Sequence, residues 1–481
     1  MCYTKNMKKD NFLEPNLIPQ ASQEKSKSKG RLWKKVLLGL SIAIVSPVVG
    51  TIGLLSILAH LYPYDSPLID NSQILLQPVS VSSQDNGFYD LSGVTDDIII
   101  LPNDNKGITN KLLQDYFDTA NPAQWNQPLA NKIVRDNQKT LTLVTQAANK
   151  NSFQIPEYSN PANLGPELKV YAMNPWREAA RLQAIYALSL MHQDQPSQAL
   201  TEAAKLSTLG HKMIISHNSL IGMLVGMATR NLGHEVVLHI LSHGTPNSLA
   251  LQKTSEAIKN SNNNIQGYKN ALKFEYTGGI NTIDVLNQDL IDRSKSEAGN
   301  KDSGSEYKNV AYANYFYKPN QTKNLYTNVY RAEIDNLGTE CHLNSLVEKE
   351  LQIADQIGKT NLLLLVFQEN PVGKFLFSLT GSAYESLLHK TCETDLLSNI
   401  VQIELALKDY KISHGSLPQS LEDLVPKYFT AIPLDPFDKK SLRYSAEKKI
   451  LYSVGASQKD LGGSEGSDWR MMANPTFKIG F

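Results

Sequence analysis

Apolar positions along this chain fall into three regimes. The first is one unbroken run, Val36–Ala59, of 24 residues without Asp, Glu, Lys or Arg. At about 1.5 Å rise per residue, a helix of that length covers the roughly 30 Å hydrocarbon layer of a bilayer, and an internal Pro47 is tolerated there. The second regime is helical. Asn174-Pro175 is a start signal, and Ala180, Leu182, Ile185, Tyr186, Leu188 and Leu190 follow at helix spacing. Gln195-Pro196 restarts the chain, and Ala199, Leu200, Ala203, Leu206 and Leu209 continue to Gly210, so the pair predicts an α-hairpin. The pattern predicts a third apolar helix from Ser219 to Leu241. It predicts two more helices over 247–293, broken near Gly278-Gly279, and others over 321–337 and 343–368. The third regime starts near Leu396. Leu397, Ile400, Val401, Ile403, Leu405, Leu407 and Tyr410 form a helix with a broad apolar face, stopped at His414-Gly415. Two β-prone runs follow, Leu442–Tyr444 and Ile450–Val454, and another stands upstream at Ile98–Leu101. The chain therefore divides into a basic tail (1–35), a transmembrane signal anchor (36–61) and a linker with a candidate strand (62–106). A helical ectodomain (107–390) and a small α+β module (391–481) complete it.

Charge orients the first regime. Residues 1–35 hold nine Lys and Arg against three acids, a net +6, whereas His60–Asp65 on the far side carries no Lys or Arg. Basic flanks stay in the cytoplasm, so the reading is a single-pass protein of the bacterial inner (cytoplasmic) membrane. Its N-terminus is cytoplasmic and its ectodomain periplasmic or extracellular, with the lipid bilayer as a partner through Val36–Ala59. The whole chain has a formal net charge of zero, which leaves residues 36–481 mildly acidic and argues against a nucleic-acid partner. Cys341 and Cys392 lie in that ectodomain. An oxidising compartment would let them pair as a disulfide; the alternative is two thiols buried as small hydrophobes.

Catalytic motifs are sparse. The chain has no phosphate-binding loop and no Gly-x-Gly-x-x-Gly fingerprint. His234 and His239 are five apart, about 140° around a helix, and so miss the zinc-protease spacing. His239 and His243 do share a face, with His211 and His217 upstream, and form a candidate zinc site weighed against histidines buried on apolar helices. Ser305/Lys308 and Ser445/Lys448 match a Ser/Lys dyad spacing that arises readily by chance.

The third regime has a recognisable order. Tyr410, Gly415 and Pro418 precede Pro433-Leu-Asp-Pro-Phe437, then come the two β-prone runs. A loop through Gly455, Gly462, Gly463 and Gly466 ends at Asp468. This succession resembles the C-terminal domain of the major (G-type) pseudopilin of type II secretion. The N-terminus departs from that family, since Gly30 is followed by Arg-Leu-Trp-Lys-Lys35 without the family's Glu, and most of the chain separates apolar run from module. The chain thus resembles a bacterial family of single-pass membrane proteins bearing a pseudopilin-like module, and not a filament subunit. In pseudopilins the closing loop binds calcium. The resemblance implies Asp460, Glu465 and Asp468 as calcium carboxylates, with Ser457 where the family has Asp; the alternative is a solvated acidic loop. The expectation is a mainly α fold with a transmembrane helix, a helical-hairpin ectodomain and a small α+β module. Its function is non-catalytic binding of, or assembly with, envelope or secretion-related proteins. The alternative is a metal-dependent envelope hydrolase using the ectodomain histidines.

Overall fold

Helix-start chemistry sets the frame of the computed structural model. It describes residues 64–118, 124–259, 264–298, 315–337, 341, 345–365, 367–378, 384–466 and 468–481, with positions 54, 57, 58 and 61. Twelve helices carry the argument: α1 (Ile108–Phe117), α2 (Gln127–Asp136), α3 (Gln138–Asn149), α4 (Asn174–Met191), α5 (Pro196–Ile215) and α6 (Leu220–His243), then α7 (Ser248–Lys259), α8 (Asn264–Ala298), α9 (Pro319–Asn336), α10 (Ser345–Lys359), α11 (Pro371–Ser378) and α12 (Tyr384–His414). Proline stands in the first turn of α2, α4, α5 and α9, where its missing N–H costs nothing. Strands β1 (Arg443–Ser445), β2 (Ile450–Tyr452) and β3 (Thr476–Lys478) form one antiparallel sheet in that order, Tyr444 facing Leu451 and Leu451 facing Phe477.

The mainly helical class holds, but its membrane component is corrected. Among the described residues no helix is long and apolar enough to cross a membrane. The transmembrane signal anchor, and with it the single-pass inner-membrane placement, is therefore not supported. Apart from Leu54, Ile57 and Leu58, the run Val36–Ala59 lies outside the described residues. The long apolar helix α6 carries Arg230, His234 and Glu235 at its middle, each of them engaged by other protein groups.

Three local expectations also change. Gly210 does not end α5, which runs on to Ile215. A Cβ at Gly210 would stand 2.5 Å from the Arg230 backbone nitrogen and 2.6 Å from the Gly226 carbonyl, so the glycine lets α5 and α6 touch backbone to backbone. Gly278-Gly279 does not break α8, where Gly279 makes room for the Tyr326 ring. Ile98–Leu101 is not a strand. Asn137 instead answers both polar groups of Ile100, accepting its N–H at 2.8 Å and donating to its carbonyl at 2.6 Å.

α12 joins the layers. Leu396, Leu397, Ile400, Ile403 and Leu407 pack into a core shared with Leu421, Leu424, Phe437, Leu451 and Phe477 of the C-terminal sheet region. Val401 and Leu405, on another face, join a second core with Leu188, Leu200, Val236 and Ile240 of α4, α5 and α6. A helix apolar on both faces is a buried helix, and this one welds the sheet to the helical body. A disulfide joins Cys341 to Cys392 of α12, with Cα atoms 6.0 Å apart and the two cysteines 51 positions apart in the chain.

Candidate functional site

A cavity of about 1220 Å³ opens where the C-terminal loop crosses α6. Its helical wall is Phe117, Glu235, Leu238, His239, Ser242 and His243, and its floor includes Glu404 of α12. The facing wall is the β-unit: Ile450, Leu461 to Glu465, Trp469, Arg470, Met472 and Thr476 to Lys478. The predicted zinc histidines and two of the predicted calcium carboxylates, Glu465 and Asp468, thus meet at one cavity, although they are more than 200 residues apart in the chain.

A salt bridge holds the two walls together. Arg470 pairs with Glu235 and also reaches Asp468 at 3.4 Å, and its guanidinium lies 4.6 Å from the Trp469 ring centre. Asp468 caps the short helical turn Trp469–Met471 by accepting the Arg470 N–H at 3.1 Å. At the chain end, Lys408 of α12 donates to the Leu241 and Gly244 carbonyls at 2.9 and 3.2 Å and stands over the Phe481 ring.

The histidines are arranged for hydrogen bonding and stacking. Tyr116 Oη lies 2.7 Å from both His192 Nε2 and His239 Nε2, so one imidazole donates to the phenol and the other accepts from it. His239 and His243 stack, with centroids 4.1 Å apart and planes 20° from parallel, and His243 Nδ1–H donates to the His239 carbonyl at 3.0 Å. Burial, then the neighbouring His243 and His192, pushes His239 down to about 3. Stacked rings aim their nitrogens side by side, and the Nε2 of His239 is spent on Tyr116. Among the described residues no group of three or more His, Cys, Asp and Glu side chains is placed to hold a metal. His211 and His217 lie elsewhere, each lowered by burial first.

In the acidic loop, protein donors engage several of the oxygens that the calcium expectation names or implies. Asp460 accepts from Tyr452 Oη at 3.2 Å, Gly462 N–H at 3.0 Å and Arg443 Nε at 3.4 Å. The carbonyls of Val454 and Lys459 both receive the buried Asn474 amide, at 3.1 and 2.8 Å. Arg443 further forks onto Asp438 and Asp435, and Asp435 accepts from Phe437 N, Ser453 Oγ and Val454 N. A guanidinium and an amide thus close this loop with donors, whereas a hard cation needs converging free oxygens.

Two groups were missed in the sequence. Glu404 is 1 % exposed and its Oε2 is buried without a hydrogen-bond partner. Burial pushes its carboxyl up to about 8, against a lowering pull from Lys408. Arg230 is fully buried and donates to Asn264, His234 and Ser398. Ser398 Oγ is 2.8 Å from His234 Nε2, which imitates a nucleophile and base. Both side chains are 0 % exposed, however, and burial together with Arg230 holds His234 far below its usual range. The cluster is a polar seam between α5, α6, α8 and α12. The signal for both groups was an ionisable residue inside an otherwise apolar helical run. Of the dyad candidates, Ser445 Oγ receives only the Lys448 backbone N–H, and Ser305/Lys308 lie outside the described residues.

Comparison with protein-family models, with curated proteins and with solved structures returned no match.

Proposed function

We propose that this chain is a non-catalytic binding protein that takes an extended segment of a partner polypeptide into the cavity between α6 and the C-terminal β-unit. The observation that carries the reading is the cavity itself. At about 1220 Å³ it exceeds the usual volume of a small-molecule site, and Phe117, Leu238, Ile450, Trp469 and Phe477 give it an apolar share of its lining. Leu461, one of its lining residues, stands 60 % exposed, the kind of apolar rim a partner covers. β3 borders the cavity as the last strand of its sheet, so an extended segment has a strand to run beside. The pseudopilin-like order of residues 396–481 supports a partner from secretion-related assembly.

Site-specific photo-crosslinking tests this. A photoreactive residue at Leu461 is expected to give one discrete adduct, and the same residue at the exposed Val170 none. The adduct is expected to vanish when Leu238→Trp fills the cavity with circular dichroism unchanged. Equal labelling at both positions, or labelling that survives Leu238→Trp, would refute the reading.

A further inference from the structure

Resting on the cavity reading above, we infer that the partner segment presents a basic side chain, a guanidinium or ammonium, whose head seats on Glu404 and whose stem lies along the apolar walls.

The argument starts from which acids at the cavity are already answered. Glu235 is paired with Arg470, and Asp468 is held by the same guanidinium and by its cap. Glu404 is different, a carboxyl at the floor of a large cavity with Oε2 lacking any donor. Its natural intrahelical partner, Lys408 one turn on, is committed elsewhere, to two carbonyls of the α6 end and to the face of Phe481. A buried acceptor without a donor is a standing cost of about 1–3 kcal/mol, recovered when a ligand supplies the donor.

The shape of the cavity then selects the ligand. Apolar side chains, Phe117, Leu238, Ile450 and Phe477, line the cavity together with the carboxylates Glu404, Glu465 and Asp468. A long methylene stem ending in a cation satisfies both, with the stem covering Phe117, Leu238, Ile450 and Phe477 and the head meeting the carboxyl. Lys448 and Lys478 belong to the strand side of the cavity, where they disfavour a uniformly basic ligand. They select one basic residue among neutral ones in the segment. Ser242 is a further hydroxyl on the helical wall, within the same cavity.

The test uses the full chain and two capped peptides, Val-Thr-Arg-Val-Thr and the same peptide with citrulline for arginine, titrated by calorimetry at about pH 9, where the Glu404 carboxyl is ionised. Citrulline keeps shape and hydrogen bonding but removes the charge. The arginine peptide is expected to bind at least about tenfold more tightly to the wild type, a difference of about 1.4 kcal/mol. Glu404→Gln is expected to bring the two peptides level while leaving citrulline-peptide binding unchanged, which also shows the variant is folded. Equal binding of the two peptides to the wild type overturns the cation inference and leaves the cavity reading standing. An arginine preference that persists in Glu404→Gln overturns the assignment to Glu404. Agmatine binding as tightly as the arginine peptide overturns the polypeptide source in favour of a small cation. Failure of both peptides to bind removes the cavity reading as well.

Discussion

Replacing Glu404 by Gln should change how stability depends on pH, and the size of the change follows from its burial. In the unfolded chain this carboxyl releases its proton near 4.5, while in the folded protein burial holds it up to about 8. Between those values the folded state binds the extra proton, so stability falls as pH rises from about 4.5 and levels off above about 8. Gln carries no such proton, and the difference between wild type and variant isolates the term. At about 1.4 kcal/mol per pH unit, the full effect is about 5 kcal/mol, of which about 4 kcal/mol accrues between about pH 5 and about pH 9. The other groups facing this site are Lys408 on α12, Glu235, His239 and His243 on α6, and Glu465, Asp468, Arg470, Lys448 and Lys478 on the β-unit. They are present in both proteins and largely cancel in the difference. Urea denaturation followed by far-ultraviolet circular dichroism, at both ends of the window, reads it directly. The variant should gain on the wild type by about 4 kcal/mol as pH rises across that window. A difference that stays flat within about 1 kcal/mol would mean that Glu404 ionises freely in the folded protein, and the physical description of the cavity floor would be wrong.

Other perturbations probe the frame around the site. Gly210→Ala forces a methyl against the Arg230 backbone and should cost about 1–3 kcal/mol in urea denaturation, and an unchanged midpoint would contradict the close α5–α6 contact. Cys392→Ser opens the loop closed between Cys341 and Cys392 and should cost about 4 kcal/mol on chain-entropy grounds; an unaltered midpoint with both thiols titrating free refutes it. Asn474→Ala takes the donor from the Val454 and Lys459 carbonyls and should cost about 1–3 kcal/mol. Calcium and chelator should leave the melting temperature unmoved, and a calcium-dependent rise would restore the cation reading of that loop.

What the sequence disclosed was local, and what it hid was decided between distant segments. Asn174-Pro175 and Pro196 marked helix starts because the first turn of a helix is built from the residues that begin it. His414-Gly415 marked the end of α12 for the same reason, with Gly415 at a φ of 77°. Gly210 misled because its use depends on Arg230, which lies on the next helix. Ile98–Leu101 misled because Asn137, well downstream, answers the backbone that a strand neighbour would otherwise hold. Spacing put His239 and His243 on one face, but only their packing against Tyr116 shows that the rings stack instead of converging. The acids of the loop were visible, whereas the Arg443 and Asn474 donors that occupy its oxygens come from either side of it.

The position of the cavity follows from how α12 is shared. Ile403 faces the core it has in common with the sheet, and Leu405 faces the core it has in common with α4 to α6. Glu404 stands between these two neighbours in the chain and lines the cavity. A carboxyl there can turn to neither apolar face, and the C-terminal loop roofs it without supplying a donor to Oε2. The roof is attached at its edges, by Glu235–Arg470 on one side and by Gly480 against Ser242 and Phe481 against Lys408 on the other. Attachment at the edges leaves the middle open, so the opening and the unanswered carboxyl share one origin, the seam between two cores along a single helix. That shared origin makes a ligand group bearing a donor the natural completion of the fold at this point.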